Sequence, residues 1–348
     1  MIKPETILIV RTDRIGDVVL SLPLAGLIKR HFPDCKITFL LRNYTSDLAD
    51  NHPYIDDVMI LCERNGKIPM GKNVSLLKER SFDACIIVYP TYIISLIVFL
   101  SRIKMRIGSG YRWYSFLFNK RIFEHRKYAG KHELEFNVNL LKALGIEEPI
   151  STENVNFDLQ VNRNSLGIVK KVLQDYDIDL NKKLIIVHPG SGGSAIDLPV
   201  ERFASLVQNL TLLKDVIVII TGDENENDVC QVVTDKSGAI NFAGRFNLSE
   251  IVALISICKL FISNSTGPIH IAAALDKFVI GFYTKILVCS PERWGPYTKN
   301  KVVFTPEIEC TDCTREQCEK LNCMNSINID SVIREVEKLI SNKQSAEI

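Results

Sequence analysis

The chain has 348 residues, of which 46% are hydrophobic and 24% charged, and these proportions are typical of a soluble globular protein with room for two domains. A net charge of only +1 argues against a protein that binds nucleic acid through its overall charge. The longest apolar run, residues 92–100, is too short to span a bilayer, and no signal-peptide pattern precedes the first strand. The sequence therefore predicts a cytoplasmic protein whose ten cysteines are mostly reduced.

Apolar strands alternate with helical segments through the first half of the chain. The first predicted strand, residues 7–10, leads through a polar loop into a segment whose apolar residues recur at helical spacing. Further β-like runs follow at residues 37–41, 57–61 and 84–88, with helical stretches between them. This alternation predicts a parallel sheet with helices on both faces.

A polar stretch, residues 147–164, separates this half from a second one that repeats the same alternation. The second half is predicted to hold strands at residues 183–187, 216–220, 240–244, 260–262, 278–283 and 302–305, with a last helix over about 330–341. This pattern predicts two doubly wound domains in tandem. Because ligands of such sheets bind at the carboxyl ends of the strands, the cleft between the domains is the predicted active site.

The predicted strand at residues 260–262 ends in small polar residues, which a Gly-Pro pair and a helix of small residues follow. Proline suits the first turn of a helix, and Ser265 or Thr266 can cap it. The backbone N–H groups and the dipole at such a helix start favour an anion, so this stretch predicts the diphosphate site of a sugar nucleotide. Its candidate donor-binding residues are Asn264, Ser265, Thr266, Gly267, Pro268 and His270.

A glycine-rich loop follows the predicted strand at residues 183–187. Its small residues let backbone amides approach a phosphate closely, although the same composition also suits a purely structural turn. The loop lacks the Lys-Ser/Thr pair of a Walker loop and the spacing of a dinucleotide fingerprint, which disfavours a P-loop ATPase and a classical dehydrogenase. The candidate phosphate-binding residues here are Ser191, Gly192, Gly193 and Ser194.

Two acidic residues stand just beyond predicted strands. Glu224 can accept hydrogen bonds from ribose hydroxyls, and Asp17, directly after Gly16, can serve as a general base. Each also fits the simpler interpretation of an acid that the dipole favours at the first turn of a helix. The residues alone leave both interpretations open for each acid.

Residues 102–131 interrupt the alternation with nine basic residues and one acid, and six aromatic residues are interleaved between positions 111 and 123. One interpretation is a surface for an anionic or lipid-linked partner at a membrane face. The other is a solvated loop whose aromatic residues belong to the core.

Four cysteines fall within fourteen residues near the end of the chain. Such a cluster in a reducing compartment suggests structural zinc, and free thiols or adventitious disulfides are the alternatives. The four residues are Cys310, Cys313, Cys318 and Cys323.

Four motifs in a fixed order resemble those of the bacterial heptosyltransferases, glycosyltransferase family 9. They lie at residues 14–23, 188–193, 264–270 and 291–297, so the resemblance spans nearly the whole chain. It implies a GT-B architecture, an α/β fold in which two Rossmann-like doubly wound domains face each other across a cleft. Residues 1–160 would bind the acceptor and residues 161–348 the nucleotide-sugar donor, with the last helix packing back on the N-terminal domain.

The resemblance also implies an enzyme that transfers a sugar with inversion and needs neither a metal nor a cofactor. The family's catalytic base falls on Asp17, its ribose-contacting acid on Glu224 and its adenine-lining position near Phe246. Its diphosphate loops fall on residues 191–194 and 265–267. The candidates for binding the acceptor or a phosphate are Arg14, Gly16 and Arg293.

The implied partners are a nucleotide-sugar donor such as ADP-heptose, an anionic lipid-linked glycan such as the lipopolysaccharide core, and the inner face of the cytoplasmic membrane, with no nucleic acid. Two departures from the family pattern leave the donor open. Ser265 stands where many members have Asp, and Ile196 where several have a Lys that would offset the charge of the leaving diphosphate. A nucleotide-sugar epimerase-like enzyme and a non-catalytic nucleotide-binding relative are the alternative functions.

Overall fold

The structure, a computed structural model, describes residues 3–235, 237–309 and 313–341. The chain divides into two compact units, Met1–Asn162 and Arg163–Ile348. Each unit holds one sheet, and all strands of both sheets pair in parallel. Parallel pairing requires a crossover between successive strands, and the helical segments of the sequence supply it.

The N-terminal unit is built on six strands: β1 (Thr6–Val10), β2 (Lys36–Leu41), β3 (Asp57–Ile60), β4 (Ala84–Ile87), β5 (Met105–Ser109) and β6 (Lys120–Ile122). Their order in the sheet is β3-β2-β1-β4-β5-β6, which is that of a Rossmann fold. Four consecutive apolar residues of β1 are fully buried, as expected for a central strand covered on both faces. The helices are α1 (Ile15–Val19), α2 (Pro23–His31), α3 (Met70–Arg80), α4 (Tyr92–Leu100) and α5 (Glu133–Asn139).

The C-terminal unit repeats this order as β12-β11-β10-β7-β8-β9. Its strands are β7 (Lys183–His188), β8 (Val216–Ile220), β9 (Ile240–Asn241), β10 (Leu260–Asn264), β11 (Phe278–Phe282) and β12 (Lys301–Phe304). Its helices are α6 (Arg163–Asp175), α7 (Val200–Thr211), α8 (Asn227–Thr234), α9 (Leu248–Ile257), α10 (Gly267–Ala274), α11 (Pro291–Trp294), α12 (Arg315–Lys320) and α13 (Ile329–Ser341).

The last helix, α13, packs on α7 within the C-terminal unit. Its residues Val332, Val336 and Ile340 recur at helical spacing and belong to the same core cluster as residues of β7 and β8. Lys183 also donates from Nζ to the carbonyl of Ile340 at 2.8 Å. The apolar stripe of this helix is thus used by the unit to which it is connected, and packing of the last helix on the N-terminal domain stays a prediction.

The prediction of an α/β protein with two Rossmann-like doubly wound units is confirmed. In such sheets the ligand lies where the strand order reverses, beyond the carboxyl ends of the two central strands. These are β1 and β4 in the first unit and β7 and β10 in the second. The polar loops identified in the sequence leave β1, β7 and β10, so the fold brings them to these positions. Within the described ranges, no helix has the length and apolar character needed to cross a membrane.

Candidate functional site

In the N-terminal unit, Asp17 lies in the first turn of α1, just beyond the loop that leaves β1. Arg11, the first residue after β1, donates from Nη2 to Oδ1 of Asp17. The Ser21 hydroxyl donates to the Asp17 carbonyl at 2.8 Å and so fixes the backbone of the same turn. The Asp17 side chain is 16% exposed, so it is not fully closed off from solvent.

Arg11 is the charged residue around which this part of the site is assembled. Its side chain is buried, and besides Asp17 it binds Asp13, with 2.8 Å between Nε and Oδ1. Burial lowers the pKa of a guanidinium, but the carboxylates of Asp17, Asp13 and Glu133 outweigh burial and raise the pKa of Arg11. Arg11 therefore stays charged. The sequence did not predict that Arg11 would hold these carboxylates, because a single basic residue after an apolar strand is a common pattern.

Asp13 is the second carboxylate on the same guanidinium. Burial raises the pKa of Asp13 to about 6, and the Asp17 charge acts in the same direction, whereas Arg11 opposes both. One buried guanidinium does not fully offset the negative charges of two carboxylates, so Asp13 and Asp17 still repel each other. Asp13 therefore titrates close to neutral pH beside the predicted base.

Helix α5 completes the network from a distant part of the sequence. Arg11 donates from Nη1 to Oδ1 of Asn137 at 3.3 Å, and the same nitrogen lies 3.8 Å from Oε1 of Glu133. Asn137 donates in turn to the Leu20 carbonyl at 3.0 Å. Arg126 binds both Glu133 and Asn137. The predicted base thus stands in a buried network of charges and hydrogen bonds.

A cavity of about 310 Å³ opens beside this network. Asp13 and Arg14 line it, together with Arg42 and Tyr44, whose hydroxyl donates to the Asp13 carbonyl. Arg14 is exposed, as a residue that binds an anionic group must be, whereas Gly16 is buried in the turn before Asp17. The Arg42 guanidinium is paired with Glu63, so the exposed Arg14 is the guanidinium here that suits a ligand with carboxylate or phosphate groups.

In the C-terminal unit, the glycine loop leaves β7 in a conformation that requires glycine. Gly192 and Gly193 have φ values of +54° and +71°, a region that residues with a Cβ rarely adopt. Oε1 of Glu226 accepts a hydrogen bond from the Gly192 N–H at 2.9 Å, and Oε2 lies 3.6 Å from Nε2 of His188. Burial lowers the pKa of His188, although the charges of Glu226 and Asp223 oppose it.

Glu226 thus bonds to the glycine loop, as does Asp197 through the side chain of Ser191, and no pattern in the sequence had identified either acid. Glu226 also closes a capping box, because the Asp223 N–H donates to its Oε2 at 3.0 Å and the Asp223 carboxylate caps the following turn. Glu224 is exposed, and its Cα lies against Gly244. The role of Glu224 as a ribose ligand stays a prediction.

Asn264 ties the end of β10 to the glycine loop. The residue is fully buried, its Nδ2 donates to the Pro189 carbonyl at 2.6 Å, and its Oδ1 accepts from the Leu198 N–H at 2.9 Å. The Ser194 hydroxyl donates to the Ser265 carbonyl at 3.2 Å. The two predicted phosphate-binding stretches are therefore adjacent. Asn264 positions them, since both ends of its amide are already bonded to backbone.

The start of α10 keeps its N–H groups free of a side-chain cap. Thr266 is the N-cap residue, but its side chain makes no capping hydrogen bond within the described part of the chain. The Ser265 side chain instead bonds with the Tyr283 hydroxyl. The prediction that one of these two residues caps the helix is therefore wrong. Pro268 lies in the first turn as predicted, and the uncapped amides around it can bind an anion.

His270 follows in the same turn and is buried. Its Nδ1 has no hydrogen-bond partner among the described residues, and burial lowers the pKa of His270 to about 4. Buried polar atoms are normally hydrogen-bonded, so an unsatisfied imidazole nitrogen near an anion-binding helix start is a candidate ligand contact.

The remaining predicted residues lie further along the C-terminal unit. Phe246 is half-buried and packs edge-on against Phe242, with 5.4 Å between the ring centroids. The Arg293 guanidinium lies 5.2 Å from the ring centroid of Trp294. Their contacts with a nucleotide or a phosphate stay predictions.

Of the four clustered cysteines, Cys310 lies outside the described residues. Cys318 and Cys323 are buried beside Ile286, and Cys313 packs at the edge of the same cluster with Cys289. Burial, with neighbouring thiols, raises the pKa of Cys318 to about 12 and keeps the thiol protonated. Among the described residues, no group of three or more His, Cys, Asp or Glu side chains is arranged to hold a metal. Zinc at the four cysteines stays a prediction.

Comparison with known proteins gives a consistent result. Residues 71–324 match the family profile described as glycosyltransferase family 9 (heptosyltransferase). A putative glycosyltransferase of Haemophilus influenzae is 29% identical over 97% of each chain, and the lipopolysaccharide core heptosyltransferase OpsX of that organism is 24% identical, also over 97% of each chain. The solved structure of the ADP-heptose lipopolysaccharide heptosyltransferase II of Escherichia coli matches with a TM-score of 0.78 at 18% identity, covering 98% of this chain and 100% of that one.

The likeness to the solved structure extends over both units and confirms the GT-B fold class. The family profile covers well over half of the chain and includes the glycine loop and the start of α10. The chain therefore belongs to glycosyltransferase family 9, the heptosyltransferase family, and is a glycosyltransferase.

Proposed function

We propose that the protein transfers heptose or a related sugar, with inversion and without a metal, from a nucleoside diphosphate donor to the lipopolysaccharide core or a similar lipid-linked glycan. The observation that carries this proposal is the junction of two anion-binding features in the C-terminal unit. The glycine loop and the uncapped start of α10 are held together by Asn264 and by the contact of Ser194 with Ser265.

The family membership and the names of the relatives support the choice of substrates. Two of the similar proteins are lipopolysaccharide heptosyltransferases, and one of these is described as using ADP-heptose. An anionic acceptor also agrees with the cavity of the N-terminal unit, which Arg14 and Arg42 line. Peripheral contact with the inner membrane face belongs to the same proposal.

The proposed reaction is a single displacement. Asp17 takes the proton of an acceptor hydroxyl as that oxygen bonds to the anomeric carbon of the sugar. The bond from the anomeric carbon to the diphosphate oxygen breaks on the opposite face, and the electron pair leaves with the diphosphate. Backbone N–H groups at residues 265–267 and in the glycine loop meet the growing charge. Arg11 holds the Asp17 carboxylate in position throughout.

Ile196 occupies the position at which several family members have a lysine. It is only partly exposed and packs against the apolar core and the cysteine cluster, so this environment suits an apolar side chain. In our proposal the amides of α10 and the glycine loop therefore carry more of the diphosphate stabilisation than in members with that lysine.

Thermal unfolding in the presence of ADP, GDP or UDP tests the donor class, because a ligand that binds the folded state raises its melting temperature. We expect ADP to give the largest increase. Proton NMR of the product from the matching sugar nucleotide and a lipopolysaccharide core acceptor then reports the anomeric configuration, which should be opposite to that of the donor. No nucleotide-dependent increase, or a product with retained configuration, would contradict the proposal.

A further inference from the structure

Helix α4 is unusual among the helices of the N-terminal unit because it carries no charged residue and is still partly exposed. Its sequence is Tyr-Ile-Ile-Ser-Leu-Ile-Val-Phe-Leu. One side is buried against the sheet, through residues such as Ile94, Ile97 and Val98. The other side exposes about 40% of each of its larger side chains to solvent, namely Tyr92, Ile93, Phe99 and Leu100. A helix that is apolar all round normally lies in a core or against a membrane.

The exposed apolar side of α4 continues onto the segment between β5 and β6. The ring of Trp113 stacks on Tyr92, with 5.0 Å between the centroids, and 72% of Trp113 is exposed. The 3₁₀ turn Ser115–Leu117 packs against α4, and its Phe116 is 63% exposed. We name the six exposed residues of this surface the α4 face: Tyr92, Ile93, Phe99, Leu100, Trp113 and Phe116. Contiguous apolar exposure of this kind marks an interaction site.

Positive charge surrounds the α4 face. Residues 84–123 contain six basic residues and no acidic one. The guanidinium of Arg106 lies 5.3 Å from the ring centroid of Phe99. Asn119 donates a hydrogen bond to the Lys104 carbonyl, which brings Lys104 close to Lys120 on β6. The side chains of Arg102, Lys104, Arg112, Lys120 and Arg121 are exposed. The segment that carries this surface, residues 84–123, therefore places basic side chains beside it and contains no acidic one.

We propose that the α4 face docks onto an anionic phospholipid bilayer, with its apolar side chains entering the interface and its basic rim binding lipid phosphates. Aromatic residues such as Trp113 favour the boundary between lipid headgroups and acyl chains, where one part of the ring contacts apolar chains and the other contacts polar groups. Each basic residue near an anionic surface adds to binding, and long basic side chains can reach phosphates while their stems stay apolar. A purely apolar partner would leave this ring of charge without a counterpart.

The position of α4 links docking to the sugar-transfer site. Thr91 and Ile94, at the start of α4, line the cavity of about 310 Å³ together with Asp13 and Arg14. A glycan attached to a lipid in the bilayer would therefore enter the cavity beside the helix that contacts the lipid. This step rests on the proposed function, whereas the docking itself requires neither donor nor acceptor.

Co-sedimentation with vesicles of phosphatidylethanolamine and phosphatidylglycerol tests the apolar part of the surface. We expect Ile93→Glu to weaken vesicle binding about tenfold or more, because a charge replaces an isoleucine that is proposed to enter the bilayer interface. Ile168→Glu is the matched control, since Ile168 is also an exposed helical isoleucine but lies on α6 of the other unit. Melting temperatures of both variants report whether they fold. Equal binding by the two folded variants would overturn the proposal.

The basic rim is tested with Lys104→Glu/Lys120→Glu against Lys170→Glu/Lys171→Glu on α6, where both lysines are exposed. We expect only the first pair to weaken binding about tenfold or more, and we expect wild-type binding to fall with rising salt. Binding to phosphatidylcholine vesicles that equals binding to the anionic vesicles would overturn the proposal. The proposal would also be overturned if the wild-type protein formed a dimer that binds no vesicles and if Ile93→Glu dissociated that dimer. The α4 face would then join two copies of the chain.

Tryptophan emission gives an independent readout, because Trp113 is one of only two tryptophans. Vesicle binding should shift the emission to shorter wavelength, and Trp113→Phe should remove the shift. Release of ADP from ADP-heptose with de-acylated lipopolysaccharide core as acceptor reports transfer separately. Docking without transfer would overturn the proposed sugar transfer alone, and transfer without docking would overturn the membrane contact and the role of the α4 face while leaving the proposed transfer intact.

Discussion

At the scale of single residues, Arg11 has the largest predicted effect on stability. Its removal leaves Asp13, Asp17 and Glu133 without their shared buried countercharge. We expect Arg11→Leu to lower the free energy of unfolding by about 3–5 kcal/mol, as loss of one partner of a buried ion pair does. Urea unfolding measures this change.

The control for Arg11 is Arg42→Leu. Arg42 pairs with Glu63, and both side chains are partly exposed to solvent, so we expect a loss of about 1 kcal/mol or less. Equal losses in the two variants would show that the Arg11 network does not stabilise the fold more than a surface pair does.

Asp13 makes the stability depend on pH, in a direction set by its pKa shift. Burial raises the pKa of Asp13 to about 6, whereas the unfolded chain has a value of about 4. Between these values the folded state binds more protons than the unfolded state, so the free energy of unfolding falls as pH rises from about 4 to 6. We expect wild type to lose about 2–3 kcal/mol relative to Asp13→Asn over this interval. Urea unfolding across the interval checks this, and a constant difference would contradict it.

At the scale of elements, the glycine loop depends on the turn that begins α8. Glu226 binds the Gly192 N–H and closes the capping box with Asp223. Glu226→Ala removes both contacts, and each hydrogen bond to a charged group contributes about 1.5–3 kcal/mol. We therefore expect the variant to bind ADP about tenfold more weakly in calorimetric titration, because the loop is no longer held in one conformation.

The neighbouring acid gives a matched comparison for this element. Glu224 is exposed and lies two residues away in the same turn. A weaker affinity in Glu224→Ala than in Glu226→Ala would favour the sequence-based ribose role of Glu224 and contradict a loop held mainly by Glu226.

The sequence predicted elements better than it predicted the site. Strands such as β1 and β7 are continuous apolar runs, and a polar or glycine-rich loop follows each, so their type and order were readable from local pattern. The hydrogen-bond network of Arg11 could not be predicted from local pattern. Asn137 is 126 positions away in the sequence and contacts Arg11 only after the sheet has formed. The capping role given to Thr266 failed for a related reason. Residue type shows what can cap a helix, but the Thr266 side chain makes no capping bond even though its backbone has the extended conformation usual for an N-cap, and Ser265 bonds with Tyr283 instead.

At the scale of the whole molecule, the same sheet order is used twice for two kinds of chemistry. In the N-terminal unit, the loop after the central strand carries a carboxylate pair on a buried guanidinium. In the C-terminal unit, the corresponding loop carries glycines in the left-handed conformation, beside a helix start without a side-chain cap. A proton acceptor and an anion-binding site are the two parts that a displacement at an anomeric carbon requires, and our proposal assigns one to each unit.

The most direct test of this division is Asp17→Asn, measured both for turnover and for donor binding. We expect turnover to fall about a hundredfold or more, because the proton acceptor is lost, while the dissociation constant for ADP stays unchanged. Asp34→Asn is the control, since the Asp34 side chain is 92% exposed, and it should retain wild-type turnover. Wild-type turnover in Asp17→Asn would contradict the assignment of Asp17 as the base, and with it the central claim.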